Sequence, residues 1–332
     1  MFSHSDLDCS TETLFGRAIS IESLFFAWHK FIKGKRQRED IIFWERYLEE
    51  NIFSLHEELS NNRYRHSRYS FFNIYDPKKR NIDKAIVKDR IVHQTLFSVI
   101  EPIFERRFIY DSYSCRIGKG THAASRRLQF FLGKASKNNT KTVYALKLDI
   151  EKFFNGLDHK ILIEFLRRDI TDKRIMRLLT HVIKSFQRVS GKGLPLGNLT
   201  SQLFANIYLH ELDFFVKQHL KEKWYLRYCD DFIIVHDSRE HLLNLIGPIQ
   251  DFLKKRLKLD IHPTKISIRT WNQGIDFVGY VHMSYCMVLR AKTKKRMLTR
   301  IEDKNFFSYM GLCKHADSFE LQQDILNKIA QR

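Results

Sequence analysis

Leu226-Arg227-Tyr228-Cys229-Asp230-Asp231-Phe232-Ile233-Ile234-Val235 sets two adjacent carboxylates between two short runs of aromatic and β-branched residues. Such runs favour strands, and the pattern predicts a tight β-hairpin that lifts a pair of carboxylates out of a buried sheet. Two carboxylates ~4 Å apart repel by roughly 4 kcal/mol at an effective dielectric near 20. A divalent cation turns that repulsion into a binding site, and Mg²⁺ takes one or two carboxylates together with substrate phosphate oxygens. Taken alone, an Asp-Asp pair is more often a solvated turn, because Asp is a common turn residue.

Upstream, Leu146-Lys147-Leu148-Asp149-Ile150 reads as a short buried strand with an acid near its end, followed by Glu151-Lys152-Phe153-Phe154. An Asp leaving one strand beside an Asp-Asp hairpin is the donor set that two-metal phosphoryl transfer needs, with the ions ~3.5–4 Å apart. Asp149, the Tyr228–Asp231 tetrad and the stretches between them resemble the palm of a reverse transcriptase. The resemblance runs from about Tyr69 to Arg290, and its pieces stand in the family's order. Asp76-Pro77-Lys78-Lys79-Arg80 and Lys88-Asp89-Arg90-Ile91-Val92-His93-Gln94 resemble the fingers segment. Ser112–Arg116 with Gly118–His122 resembles the next block, and Gly193–Gln202 follows Asp149. Leu259–Lys265 comes after the hairpin, and Phe277-Val278-Gly279-Tyr280 is similar to a primer-grip hairpin.

Most reverse transcriptases carry Gln-Gly-x-x-x-Ser-Pro where this chain has Leu196-Gly197-x-x-x-Ser201-Gln202. This form, with the adjoining Leu203–Leu209, is similar to the enzymes of diversity-generating retroelements. Leu196 offers an incoming nucleotide no hydrogen bond where the wider family places an amide, and a site that loses a polar check loses discrimination. The resemblance therefore implies low fidelity. Asn155-Gly156 departs from relatives, which tend to have a Ser there, and the sequence assigns that departure no consequence.

The resemblance implies an α+β fold of the right-hand polymerase kind, with fingers, palm and thumb and an antiparallel palm sheet backed by helices. It divides the chain into a helical N-terminal extension (1–68), fingers and palm (69–285) and a short basic thumb (286–332). Asp149, Asp230 and Asp231 are implied to hold two Mg²⁺ ions, with Mn²⁺ as a substitute and the Ile150 carbonyl as a further ligand. Lys79, Arg80 and Arg90 are implied to neutralise the triphosphate, since a developing polyanion needs positioned cations. Leu196, Gly197 and Gln202 are implied to line the nucleotide site. Phe154 matches the sugar-gate position, where a bulky ring collides with a ribose 2′-hydroxyl; of Phe153 and Phe154, one must point inward. Lys265 matches the family's proton donor to pyrophosphate. The implied partners are an RNA template and RNA/DNA hybrid, dNTPs, and a basic accessory protein or second subunit.

Composition agrees. The formal charge of +19 calls for a polyanionic partner or a membrane surface, while 27 Phe mark a packed protein and not a basic tail. The five cysteines (Cys9, Cys115, Cys229, Cys286, Cys313) include no C-x-x-C pair, which argues against zinc, and their odd count argues for reduced thiols in a cytosolic compartment, the bacterial cytoplasm on the resemblance. Cys229 reads as a small apolar filler, and the 15 His as mostly surface or RNA-facing. No apolar run approaches membrane-spanning length and no signal-peptide pattern opens the chain. Periodicity predicts helices over 20–60, with Leu24, Trp28 and Phe31 on one stripe and Trp44, Leu48, Ile52 and Leu55 on another, separated by the basic loop Lys33–Arg38. It also predicts a helix over 86–108 broken near Pro102, a third over 202–221 packed under the hairpin, and a fourth over 240–257. The basic run Arg290, Lys292, Lys294, Lys295, Arg296 and Arg300 fits a thumb that tracks a nucleic-acid backbone, and the residues beyond Arg300 leave no room for an endonuclease or ribonuclease-like appendage. An RNA-dependent RNA polymerase shares the palm, but Phe154 opposes it. An idle RNA-binding scaffold does not explain three carboxylates. A defence-system or retron enzyme is the alternative to diversification. Each neutralised phosphate contributes roughly −0.7 to −0.9 to the salt slope of binding, so RNA affinity falls steeply with salt in a filter-binding titration. A flat titration would remove the electrostatic argument.

Overall fold

A computed structural model describes residues 13–75 and 79–330 of the chain. Cys9 and the fingers residues Asp76, Pro77 and Lys78 lie outside the described residues. The chain begins with α1 (Leu14–Ile19), α2 (Ile21–Ile32), α3 (Glu39–Glu45) and α4 (Leu48–Ser60). The hairpin β1 (Ser70–Ile74) and β2 (Arg80–Lys84) leads to α5 (Val87–Glu105), α6 (Thr121–Ala135) and β3 (Tyr144–Asp149). Next come α7 (Phe153–Gly156), α8 (His159–Arg167), α9 (Lys173–Lys184) and α10 (Leu199–Phe214). Then follow β4 (Tyr225–Tyr228), β5 (Asp231–His236), α11 (Arg239–Phe252), β6 (Ser267–Thr270), β7 (Ile275–Phe277), β8 (Tyr280–His282) and β9 (Met287–Leu289). Three helices come last, α12 (Ala291–Arg300), α13 (Asp303–Cys313) and α14 (Phe319–Ala330). Contacts group these elements into two compact units, one of residues 13–108, 152–211 and 256–259, the other of 109–151, 212–255 and 260–330. Among the described residues no helix is long and apolar enough to cross a membrane.

The first unit is built on amphipathic helices. The Ser20 hydroxyl caps α2 by accepting from the Ser23 amide, and Leu24, Trp28 and Phe31 form its buried stripe. The second expected stripe is divided. Tyr47 leaves helical geometry (φ −123, ψ 43), so Trp44 falls in the last turn of α3 while Ile52 and Leu55 are buried residues of α4. The break expected near Pro102 does not occur, and α5 runs through it to Glu105. A proline costs the helix one hydrogen bond and a clash with the preceding turn. Ile91, Val92, Leu96, Ile100 and Phe104, all buried, hold α5 in its packing with α1 and α2 and outweigh that cost. Asp158 and Asp172 cap α8 and α9, each accepting from two backbone amides.

In the second unit the strands form an antiparallel sheet in the order β4-β5-β3-β6. Alternation decides its faces. Leu146, Leu148, Phe232 and Ile234 are fully buried on the face where α11 packs. Ala145, Ile233, Val235 and Leu226 point the other way, into a core with Leu128, Phe131 and Leu132 of α6. Continuing that parity toward the hairpin gives Lys147, Asp149 and Asp231, so one face changes from apolar to charged along its length. The expected hairpin is present: Tyr228 pairs with Asp231 across a two-residue turn. Cys229, first in the turn, has a left-handed φ of 56°, the positive φ that such turns use there. A smaller sheet, β7-β8-β9, joins α12, α13 and α14 around Tyr280, Leu289, Met297, Ile301 and Cys313.

The helix expected over 202–221 is α10 followed by a π turn (Phe215–His219). Its last turn supplies Asp213, which with Arg227 of β4 forms an ion pair with no exposure on either side. The guanidinium donates to Asp213 Oδ1 (2.7 Å) and Oδ2 (2.6 Å), to Ser112 Oγ (3.1 Å) and to the Cys229 carbonyl in the turn (3.0 Å). Tyr225 also donates to Asp213 Oδ1 (2.6 Å). Breaking a buried pair strands a charge, at about 3–5 kcal/mol. Arg227→Met, which leaves Asp213 in place, is expected to lose that much stability in urea unfolding. A loss below about 1 kcal/mol, the size of an exposed pair, would contradict the clamp.

Candidate active site

Each carboxylate is placed by its strand. Asp149 ends β3 and Asp231 begins β5, and the two are direct cross-strand partners. Like charges in that position destabilise a sheet, and the local electrostatics show the strain. Burial, then the charge of Asp149, raises the pKa of Asp230 above the ordinary aspartate value of 3.8. Burial also raises Asp231, although Lys147 opposes the effect. Two lysines sit on the cluster. Lys265 Nζ lies 2.7 Å from Asp149 Oδ1, and Lys147 Nζ lies 3.2 Å from Asp231 Oδ2. The backbone around the cluster is tied down by the Ile150 amide to the Asp230 carbonyl (3.3 Å) and the His262 amide to the Asp149 carbonyl (2.8 Å). The Cys229 thiol is pushed up by burial and by Asp230, which keeps it protonated and non-nucleophilic.

The sequence reading thus finds Asp149, Ile150, Asp230, Asp231 and Lys265 in one place. It passed over Lys147, whose signal was available: two residues before Asp149 on a strand, it shares that residue's face. It also passed over Arg227, which β-propensity gives no reason to bury. Among the described residues, no three His, Cys, Asp or Glu side chains are gathered so as to hold a metal ion as they stand. The donor set nevertheless fits a hard divalent cation. It is all oxygen, and Asp231 Oδ1 is a buried acceptor with no hydrogen-bond partner. The lysine ammonium groups stand where cationic charge is wanted.

The remaining expected residues lie in the first unit. Arg80 starts β2, and Lys79 lies just before it; both are exposed, with Lys79 Nζ 5.9 Å from the Tyr75 ring. Arg90 is engaged by Asp40 (2.5 Å), which also holds Lys84 (2.8 Å), and its guanidinium lies over Phe31. Phe153 is the ring that points inward, at 2% exposure, and Phe154 stands half-buried at its edge. The Leu196 carbonyl accepts from the Asp83 amide (3.1 Å). Gly197 has φ +104°, and a Cβ there would meet Ile82 Cγ2 at 2.9 Å, so glycine is required. Gly197, Gln202 and Arg90 line one cavity of about 330 Å³. Four histidine side chains, those of His66, His93, His159 and His282, are buried in hydrogen-bonded positions, apart from the surface role expected of most.

Crowding of the carboxylates has a measurable sign. With its folded-state proton affinity raised, an ionised Asp230 opposes folding at any pH above its native pKa. That penalty vanishes below the unfolded value of 3.8. Asp230→Asn is therefore expected to raise the melting temperature in chelator at pH 7, with the gain shrinking toward pH 3. A midpoint at or below that of the unmodified protein at pH 7 would refute the crowding.

Residues 76–282, more than half of the chain, match the reverse transcriptase (RNA-dependent DNA polymerase) family. The chain is 26% identical over 253 residues to protein YkfC of Escherichia coli K12, covering 62% of this chain and 65% of that protein. It is 24% identical over 293 residues to the group II intron-encoded protein LtrA of Lactococcus lactis, covering 67% of this chain and 48% of LtrA. The chain thus spans part of the length of each relative. Among solved structures, a Candida tropicalis telomerase aligns with a TM-score of 0.52 at 13% identity, over 79% of this chain and 53% of that one. That likeness is one of fold, the α+β right-hand polymerase fold. A carboxylate hairpin beside a third carboxylate strand, on this fold and in this motif order, places the chain in the reverse transcriptase family.

Proposed function

We propose that the chain is an RNA-directed DNA polymerase that copies a structured RNA into complementary DNA by two-metal nucleotidyl transfer. The observation that carries this reading is the cluster of Asp149 and Asp231 on paired strands with Asp230 in the adjoining turn, and with lysines already drawn to it. Asp149, Asp230, Asp231 and the Ile150 carbonyl would hold two Mg²⁺ ions, or Mn²⁺, which supply activation of the primer 3′-hydroxyl and neutralisation of the leaving pyrophosphate. Lys265, which pairs with Asp149 at 2.7 Å, would release that carboxylate to a bound ion and would be placed to protonate pyrophosphate. Lys79 and Arg80, both exposed, grip the triphosphate; Arg90 joins them by leaving Asp40. Residues 69–285 would serve as fingers and palm and 286–332 as a short basic thumb. The partners on this reading are the RNA template, the RNA/DNA hybrid, dNTPs and a basic accessory protein or second subunit. Free thiols at Cys115, Cys229, Cys286 and Cys313 suit a reducing bacterial cytoplasm.

For biological role, Leu196 supports error-prone copying in a diversity-generating retroelement. The amide that would test a base pair there is absent, and Gly197 beside it is held open to solvent. Sequencing the DNA made on the RNA encoded beside the gene, with Mg²⁺ and four dNTPs, tests the reading. Misincorporation opposite template adenines supports diversification, faithful or repetitive products point to a defence system or retron, and no product removes the polymerase. The same assay tests the gate. Phe154→Ala is expected to raise ribonucleotide incorporation by tenfold or more, and an unchanged ratio of ribo- to deoxynucleotide use would exclude it.

A further inference from the structure

His66 and His93 take no part in the chemistry outlined above, yet hydrogen bonds connect them to the turn that shapes the 330 Å³ cavity. His93 on α5 is 2% exposed and Thr200 in the first turn of α10 is 1% exposed. His93 Nδ1 lies 2.7 Å from Thr200 Oγ1, and His93 Nε2 lies 3.0 Å from His66 Nε2. His66 Nδ1 faces the Ser67 carbonyl at 2.7 Å and Asp89 Oδ2 at 3.6 Å. Asp89 accepts from the Tyr64 hydroxyl and the Ser67 amide, and the His66 amide donates to His181 Nε2.

These partners determine where the protons sit. Only acceptors face His66 Nδ1, so that nitrogen carries a hydrogen. With one hydrogen on each ring, His66 presents Nε2 as an acceptor and His93 donates to it from its own Nε2. His93 Nδ1 is left bare, and the Thr200 hydroxyl donates to it. Burial lowers the pKa of His93 to about 3, so this ring stays neutral. With one hydrogen per ring the chain runs from Thr200 to His93, from His93 to His66, and from His66 to the Ser67 carbonyl.

The turn beyond Thr200 is anchored at its other end as well. The Leu196 carbonyl accepts from the Asp83 amide, and Asn198 Nδ2 donates to the Asp83 carbonyl (3.0 Å). Arg188 grips both oxygens of the Asp83 carboxylate. Between these anchors lies Gly197, and Gly197, Asn198, Gln202, His93, Arg90 and Gln94 border the same cavity.

We propose that the Thr200–His93–His66 chain is a positioning device that fixes the first turn of α10, and with it Gly197 and Gln202, against the incoming dNTP. This rests on the reverse transcriptase reading above. Thr200→Val keeps the shape, removes only the hydroxyl and strands His93 Nδ1, whereas Thr200→Ser keeps the donor. The expected result is a rise of about tenfold in KM for dNTP with Thr200→Val, the scale of one buried hydrogen bond, with kcat nearly unchanged and Thr200→Ser close to the unmodified enzyme. An equilibrium titration with labelled dATP should show the same loss of affinity without any turnover. If the unmodified protein binds dATP but makes no DNA, the polymerase reading fails while the titration still decides the positioning role. Equal KM and equal affinity in Thr200→Val and the unmodified protein overturn the proposal. So does an imidazole ¹⁵N spectrum that places the His93 proton on Nδ1 at neutral pH, a measurement that needs no variant to fold.

Discussion

Asp149 faces Asp231 across two adjacent strands, and the rest of the second unit is arranged around that repulsion. A cross-strand pair of like charges weakens a sheet, and Asp230 in the turn adds a third. The sheet is held together by its apolar length, where Ala145, Ile233 and Val235 meet α6 and Leu146, Leu148 and Phe232 meet the opposite layer. The carboxylates occupy only the end of the face, after hydrophobic burial has fixed the register. A one-residue slip would turn them into the core, so the position of the charged group is as firmly set as the core itself.

Cations answer the repulsion at two depths. Arg227 is wholly buried and binds the hairpin from behind, through Asp213 and the Cys229 carbonyl. It never competes for the front of the site. Lys147 and Lys265 are partly exposed and touch the carboxylates directly. A buried, bidentate guanidinium is structural because removing it strands a charge. A solvated ammonium is exchangeable because water can take its place. The division leaves the hairpin rigid while its front oxygens can change partners.

Much of this was legible in the sequence where a short-range pattern sufficed. The hairpin, the strand before Asp149 and the helix after Gln202 follow from alternation and 3.6-residue spacing, and the carboxylates follow from their places on them. Three things were not legible. Pro102 has a strong local preference to break a helix, and only the burial of Ile100 and Phe104 in the folded unit overrules it. Arg227 looks like a solvent-facing residue on a strand until Asp213, 14 positions earlier, is brought beneath it. His66 and His93 carry no spacing signal, because their partners Thr200 and His181 are more than a hundred residues away.

The second unit is assembled from three separate stretches of chain, and its central strand, β3, pairs with β5 and β6, which are made much later. During synthesis β3 waits, unpaired along both edges, until β5 has left the ribosome, and its second edge stays open until β6 is complete at residue 270. Long-range pairing of this kind is slow and leaves strand edges open to other chains. The intervening 152–211 segment belongs to the other unit and can fold in that interval. Most of the first unit, residues 13–108 and 152–211, is therefore made before the carboxylates ever meet, and a chain released before β5 carries no assembled centre.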